Sequence, residues 1–458
     1  MTQHFDAIVI GTGQAGPPLA ARLAGAGMKV AIVERGRFGG TCVNTGCIPT
    51  KTLIASAYAA QLARRAAEYG VSVGPVSVDM KAVKARKDRI SGRSNHGVEQ
   101  WVRGLENTTV FQGHARFERA NAVRVGDEVL EADRIFINVG GRAQIPPMPG
   151  LDSVPYLTNS TMMDVDFLPE HLVIVGGSYV GLEFGQMYRR FGSQVTIVEK
   201  GSRLIRREDE DVSQAVHEIL ANEGIDVQLD ANCLTARRDG DGVAVGLDCT
   251  GGRREVAGSH LLLAVGRVPN TDDLGLEQAG VAVDARGYVT VDDQLRTNVP
   301  GIWALGDCNG RGAFTHTAYN DYEIVAANLL DNDPRKVTDR ITAYAMYIDP
   351  PLGRVGMTLA EAKQTGRRLL VGTRPMTRVG RAVEKGESQG FMKVIVDADN
   401  HAILGASILG VTGDEVVHGL LDVMAAGAPY TTISRAMHIH PTVSELVPTL
   451  LQDLHPVE

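Results

Sequence analysis

At 458 residues the chain is too long for one ordinary domain, and its 44% apolar and 22% charged residues are those of a globular protein with large cores. A formal net charge of −8 with scattered basic residues argues against nucleic acid or an anionic membrane as the main partner. The five cysteines, Cys42, Cys47, Cys233, Cys249 and Cys308, form one close pair and three singles, which is not a secreted disulfide framework. Met1 to Asp6 has no basic region and runs into a strand, and no apolar run reaches about 18 residues, so neither a signal peptide nor a membrane span is expected. A cytoplasmic protein follows as the expectation.

The apolar run Phe5–Ile10 leads into Gly11-Thr12-Gly13-Gln14-Ala15-Gly16, then an Ala/Leu-rich helical stretch to about Gly27. A second strand, Lys29–Val33, ends at Glu34. This is the strand, GxGxxG, helix, strand, acid order of a dinucleotide site. Gly11 permits the tight turn, Gly13 lets the backbone approach a pyrophosphate, and Gly16 lets helix pack on strand. Glu34 would accept from an adenosine ribose. Pro17 and Pro18 are tolerated only in the first helical turn, where backbone donors are unpaired anyway.

Next comes Gly39-Gly40-Thr41-Cys42-Val43-Asn44-Thr45-Gly46-Cys47-Ile48-Pro49-Thr50-Lys51, followed by a helical pattern over Thr52–Ala67. Four residues separate the cysteines, which can place a closed disulfide at a helix start beside the dinucleotide site. A thiolate there is stabilised by the helix dipole. Two buried structural cysteines are the plainer alternative. Zinc is disfavoured because no further Cys or His lies near enough to close a tetrahedral site, so no metal is expected. Val71–Gly104 reads as a charged packing helix. Phe111–Leu130 alternates as strands, and Ile135–Val139 is a buried strand before the proline-rich boundary Pro146–Gly150.

Beyond that boundary the first pattern returns. Leu172–Val175 is a strand, Gly176-Gly177-Ser178-Tyr179-Val180-Gly181 opens a helix, and Val195–Val198 ends at Glu199. The acid follows the last glycine by 18 residues in both copies, which implies two dinucleotide sites on one chain. Glu199 suits a free 2′-hydroxyl and favours NADH, while Lys200, Arg203, Arg206 and Arg207 keep NADPH open. Strand-like alternation is expected to continue to Val291. Gly301–Asp307 is expected to place a carboxylate, Asp307, at a turn beside a bound polyol, with an N-cap of the next helix as the plainer alternative, and Ala313–Leu330 is expected to be helical. From about Arg340 strands return, and the last element carries His440-Pro441-Thr442-Val443-Ser444-Glu445. A histidine oriented by a glutamate, with a dithiol elsewhere, has the composition of a base that ionises an attacking thiol.

Together these motifs resemble the class I flavoprotein disulfide reductases, the pyridine nucleotide–disulfide oxidoreductases, over the whole chain. The stretch 39–51 is highly specific to that family and the string 440–445 nearly so. The resemblance is to the mercuric-reductase-like and dihydrolipoamide-dehydrogenase-like branch. It implies an α/β fold with two Rossmann-like dinucleotide-binding domains, for FAD and NAD(P), and a C-terminal α+β dimerisation domain. The boundaries would be 1–149 (FAD, with the cysteine pair), 150–268 (NAD(P)), 269–339 (a central domain completing the FAD site) and 340–458 (dimerisation).

The resemblance also assigns residues. Gly11, Gly13, Gly16, Glu34, Thr41, Lys51, Gly141, Gly266 and Asp307 would bind cofactor, with Asp307 on the FAD ribityl chain. Gly176, Gly181 and Glu199 would bind NADH or NADPH, with Tyr179 an aromatic gate. Cys47 looks like the flavin-proximal, charge-transfer thiol and Cys42 like the thiol that attacks substrate. Lys51 and Glu183 resemble an ion pair near the flavin, and His440 with Glu445 an acid/base pair acting across a homodimer interface. The implied activity takes electrons from reduced nicotinamide through FAD to a Cys42–Cys47 disulfide and on to a disulfide or other small oxidant. No cysteine follows Cys308, so the C-terminal pair with which mercuric reductases hand over metal is missing, and Hg(II) reduction is in doubt. Dihydrolipoamide dehydrogenase is the alternative enzyme. A flavoprotein electron-passing subunit of a complex is the alternative of another class.

Overall fold

The computed structural model describes residues 2–232, 234–247 and 254–457, and Cys233 and Cys249 lie outside them. Thr108–Gln112, Val30–Glu34, Thr2–Ile10 and Glu128–Ile137 lie side by side in parallel. All of Val30–Glu34 is buried, as expected of a parallel strand covered on both faces. Glu128–Ile137 divides its far edge between two partners. Its first half pairs antiparallel with Ala122–Val125, which continues to Ala115–Arg119, and its second half pairs parallel with Ile302–Ala304. The chain thus returns to its first sheet only after building a second unit.

That unit is a parallel sheet in the order Asp226–Gln228, Gln194–Val198, His171–Val175, His260–Leu263. A three-stranded antiparallel sheet, Thr235–Asp239, Gly242–Gly246 and Glu255–Gly258, accompanies it. The two connections between the units pair with each other, Gly141–Ala143 against Arg267–Pro269. The third unit is antiparallel, in the order Ala343–Met346, Leu352–Gly356, Ile403–Leu409, Phe391–Asp397, Leu369–Pro375, His455–Pro456. One core binds the units together: Leu172, Leu182 and Val216 of the second pack with Leu53 and Ala57 of the first and Met346, Ile348 and Leu352 of the third.

Three local expectations are corrected. The helix expected from Thr52 starts at Cys47 and runs to Arg64, because Pro49 sits in the first turn, where its missing N–H costs nothing. The charged helix spans Met80–Arg103, not Val71–Gly104; Asp79 caps it by accepting from Lys81 N at 2.9 Å and Ala82 N at 3.1 Å. Between Arg267–Pro269 and Val291 the only extended pairing among the described residues is a bridge of Val283 with Val289. Gly275 and Gly280, both at positive φ, bound a short helix, Leu276–Ala279, in the middle of the expected strands. No helix among the described residues is long and apolar enough to cross a membrane.

Candidate active site

The first glycine turn is built by close backbone contacts. Gly11 turns at φ 103°, and a Cβ there would fall 2.3 Å from Asn138 O. A Cβ on Gly16 would fall 2.1 Å from Gly11 O, so only glycine lets helix Gly16–Gly25 sit on the turn. Gly13 and Gly40 also approach closely: a Cβ on Gly40 would lie 2.8 Å from Gly13 Cα. Pro17 and Pro18 fall in the first helical turn. Glu34 is buried and accepts from Thr12 N at 3.0 Å, Thr12 Oγ1 at 2.5 Å and Gly36 N at 2.7 Å. Three of its roughly four acceptor positions hold the turn, which leaves about one for a ligand.

The second turn repeats this geometry. A Cβ on Gly176 would fall 2.3 Å from Ala264 O, and one on Gly181 would fall 2.0 Å from Gly176 O. Glu199 accepts from Gly177 N at 2.6 Å and Gly201 N at 2.7 Å, the counterparts of the Thr12 and Gly36 contacts. Ser178 is extended and exposed just before helix Tyr179–Phe191.

A cavity of about 610 Å³ opens on the first turn. Its wall brings together Gly11, Gly13, Glu34, Thr41, Cys42, Cys47, Lys51, Tyr179, Glu183 and Asp307, drawn from three sequence regions. Cys42 and Cys47 stand as free thiols joined by a hydrogen bond, the reduced form of the pair. The two sulfurs ionise unequally. The hydrogen bond from Cys42 is the chief cause that lowers Cys47, to about 6, against burial; Thr315 Oγ1 at 3.1 Å and the Lys51 charge help. Cys47 is also the first residue of its helix, where the dipole favours an anion. Cys42 is pushed up, first by that same hydrogen bond, then by burial and the neighbouring negative charge. Lys51, one helical turn beyond Cys47, pairs with buried Glu183 at 2.7 Å. Tyr347 of the third unit completes this pair: its N–H donates to Glu183 at 2.9 Å, and its ring lies 4.6 Å from Lys51 Nζ. Burial raises Asp307 against the opposing pull of Arg267, whose Nε is 3.5 Å away.

The other expected residues lie off this wall. Gly16, Gly176, Gly181 and Glu199 shape the two turns. Gly141 and Gly266 stand at the paired connections, where a Cβ on Gly141 would meet Val268 O at 2.9 Å; Gly140, not Gly141, lines the cavity. His440 Nδ1 meets Glu445 at 2.9 Å, yet its side chain is 80% exposed beside Met437 and Ile439, which are also bare. An oriented imidazole in an exposed apolar setting is an unfinished surface on a single chain. Sequence reasoning missed Thr315, Tyr347, Asn138 and Arg267, none of which sits in a recognisable motif.

A family model described as pyridine nucleotide-disulphide oxidoreductase matches residues 5–321, and the dimerisation domain of the same family matches 342–451. The chain belongs to the pyridine nucleotide–disulphide oxidoreductases. The probable pyridine nucleotide-disulfide oxidoreductase RclA of Escherichia coli is 35% identical, over 96% of this chain and 97% of that protein. A dihydrolipoyl dehydrogenase of Haloferax volcanii is 34% identical and a mercuric reductase of Streptomyces lividans 33%, each over 96% of this chain and 94% of the relative. The solved structure of RclA, titled an HOCl-induced flavoprotein disulfide reductase, superposes with a TM-score of 0.89 at 35% identity, covering 98% of this chain and 99% of that one. Its Cu(II) complex gives a TM-score of 0.90.

As a member of this family the chain is an NAD(P)H-dependent, FAD-containing disulfide oxidoreductase with a C-terminal dimerisation domain. The residues present suit both cofactors. The first turn offers side-chain-free backbone at Gly11 and Gly13 in a cavity of ligand size, with Asp307 on its wall, and the second turn repeats the same frame.

Proposed function

We propose that Cys42 and Cys47 are the redox relay of this oxidoreductase, and that it reduces a disulfide or another small oxidant as a cytoplasmic homodimer with NADH as preferred donor. The observation that carries the proposal is one thiol pair, unequally ionised, in a cavity shared with the first glycine turn, Asp307 and the Lys51–Glu183 pair. Cys47 rests as a thiolate at neutral pH. Cys42 does not ionise beside it and needs a base, the role of the partner subunit's His440, oriented by its own glutamate.

The Cys42 thiolate then attacks one sulfur of the substrate disulfide, forming a mixed disulfide and releasing one thiolate, which takes up the proton held by the imidazole. Cys47 attacks Cys42 Sγ, closing the 42–47 disulfide and releasing the second thiolate, protonated from solvent. FAD, when bound, would supply the two-electron chemistry that returns this disulfide to the Cys42 thiol and the Cys47 thiolate at the expense of NAD(P)H. The net reaction is NAD(P)H, a proton and a disulfide going to NAD(P)⁺ and two thiols.

The four-part division at 149, 268 and 339 belongs to the same proposal, as do Gly11, Gly13, Gly16, Glu34, Thr41, Lys51, Gly141, Gly266 and Asp307 on the cofactor side. Gly176, Gly181, Glu199 and Tyr179 take the nicotinamide coenzyme. NADH is favoured because a second negative charge beside Glu199 would be repelled. A compartment that keeps thiols reduced suits a relay that must return to its dithiol form. Oxidation of dihydrolipoamide is the second reading, favoured by 34% identity to the Haloferax enzyme.

The test is an anaerobic NADH titration of the holoenzyme, with Cys47→Ser as control, followed by reoxidation with lipoamide, glutathione disulfide, Hg(II) and Cu(II). Cu(II) is included because RclA has been solved with it. A long-wavelength thiolate absorbance at two electrons, lost in the variant, supports the relay, and the fastest reoxidant names the substrate class. Full cofactor reduction without that absorbance rejects it.

A further inference from the structure

Glu208 is a buried carboxylate that the relay does not use. It lies between strand Gln194–Val198 and helix Glu210–Asn222. Its Oε2 accepts from Arg354, through Nε at 3.0 Å and again through Nη2. Its Oε1 accepts from two phenols, Tyr344 at 2.7 Å and Tyr179 at 3.3 Å. Oε1 has two lone pairs and accepts from both hydroxyls at once, but the two bonds draw on one charge, so each weakens the other. Arg354 is 1% exposed, on strand Leu352–Gly356 of the third unit. Glu208 therefore cannot follow a departing tyrosine without breaking both bonds to a buried guanidinium whose other carboxylate, Asp209, stands farther off at 3.8 Å.

Tyr179 is the most loosely held of the aromatic rings here. It is the first residue of the helix after the second glycine turn, and it lines the cavity. Its ring meets Phe314 and Tyr344 only edge-on, at 6.3 Å and 5.6 Å between centroids. Phe314 and Tyr344 stack on each other at 5.4 Å with planes 13° apart. Swinging Tyr179 out breaks one long hydrogen bond, two edge contacts and its partial packing on the core that joins the units. The Phe314–Tyr344 stack and the Glu208–Arg354 pair stay intact.

We propose that Glu208, clamped by Arg354 and shared with Tyr344, is a positioning residue that sets how readily Tyr179 swings out of the cavity to admit the nicotinamide. This rests on the reading that Tyr179 stands at the nicotinamide site. A coenzyme that must displace a closed ring binds with an apparent affinity lowered by the fraction of open molecules. By taking the better share of Oε1, Tyr344 weakens the bond that keeps Tyr179 closed.

The test is calorimetric binding of NAD⁺ to the oxidised holoenzyme, which needs no turnover. Tyr179→Phe keeps the ring and removes the bond, so NAD⁺ binds about tenfold tighter, the lower end for a hydrogen bond to a charged group. Tyr344→Phe removes the competitor, so Tyr179 is held harder and NAD⁺ binds several-fold more weakly. The double variant behaves like Tyr179→Phe alone, since without the Tyr179 hydroxyl nothing is left for Tyr344 to compete with. Reduction of Tyr344→Phe by dithiothreitol, which enters at the cysteine pair, proceeds at the unaltered rate; a general loss of packing would slow it too. Single variants that shift affinity in the same direction, or that both stay within about twofold, overturn the proposal. Tyr179→Ala separates the two levels. If it changes NAD⁺ affinity while the two phenylalanine variants are silent, only the Glu208 assignment falls. If it changes nothing, Tyr179 is not at the nicotinamide site, and the assignment falls with that reading.

Discussion

Cys42 and Cys47 show how neighbours, rather than residue type, decide what a thiol does. Both lie beside the same cavity, yet one is driven towards the thiolate and the other away from it, because a single negative charge shared between adjacent sulfurs is stabilised by a hydrogen bond and a second is opposed. Cys47 has its ordinary value depressed to about 6, so its thiolate reactivity is present above that pH and lost as pH falls through it. The hydrogen bond from Cys42 outranks the Lys51 charge among the lowering causes. Cys42→Ala should therefore move the Cys47 midpoint upward further than Lys51→Met does, towards the roughly 8.5 of a free cysteine. Iodoacetamide labelling of the reduced protein across a pH series, read on the Cys47 peptide, measures both midpoints. A larger shift in Lys51→Met would mean that the cation, not the neighbouring thiol, sets the ionisation.

The elements legible in the sequence were those whose residues meet their own near neighbours. Both strand–turn–helix units were, because Gly11 with Gly16, and Gly176 with Gly181, must exclude a Cβ for the helix to sit on its strand. What stayed hidden depends on residues far apart in the chain. Helix Tyr179–Phe191 presents Tyr179, Glu183, Gln186 and Arg190 on one face, and these meet Tyr344 (through ring contact), Tyr347 and Asp349 of the third unit in order. Nothing in the 3.6-residue period says that such a polar face meets protein rather than water. The strands expected as far as Val291 failed for the converse reason: apolar alternation was present, but positive-φ glycines cut the pairing short. The two turns should nevertheless respond separately to substitution. Gly181→Ala puts a Cβ 2.0 Å from Gly176 O and displaces the helix that carries Tyr179 and Glu183, at ~1–3 kcal/mol of strain. The expected outcome is an NADH KM raised about tenfold with one FAD per subunit retained. Gly16→Ala, with its clash at 2.1 Å, should lose FAD instead. Flavin absorbance per subunit and NADH kinetics distinguish these outcomes, and parallel loss of FAD in both variants would show that the turns are not independent.

A single chain carries both halves of the proposed chemistry but not in one place. The thiols face the cavity at the first glycine turn, whereas His440 is 80% exposed, held by Glu445 among bare Met437 and Ile439. The string 440–445 was visible in the sequence as a histidine with its orienting glutamate; that it serves Cys42 of another subunit was implied by the resemblance alone, since no residue pattern within one chain says which subunit it faces. A two-fold dimer would resolve this if each imidazole served the other subunit's Cys42, and that arrangement has a consequence that no arrangement within one chain shares. Cys42→Ser and His440→Gln homodimers should each be inactive towards a disulfide, the second by about 100-fold or more for loss of a general base. A hybrid dimer of the two has one doubly damaged site and one site that combines an intact Cys42 with an intact histidine from the other subunit. Equimolar mixing after reversible dissociation makes half the dimers hybrid with one working site of two, so activity should recover to about a quarter of the unsubstituted enzyme. Were His440 to act on the cysteine of its own chain, every site in every dimer would lack one of the two groups and mixing would restore nothing. Disulfide reductase activity of the mixture, with subunit exchange followed by native mass spectrometry, therefore reads directly which subunit supplies the base.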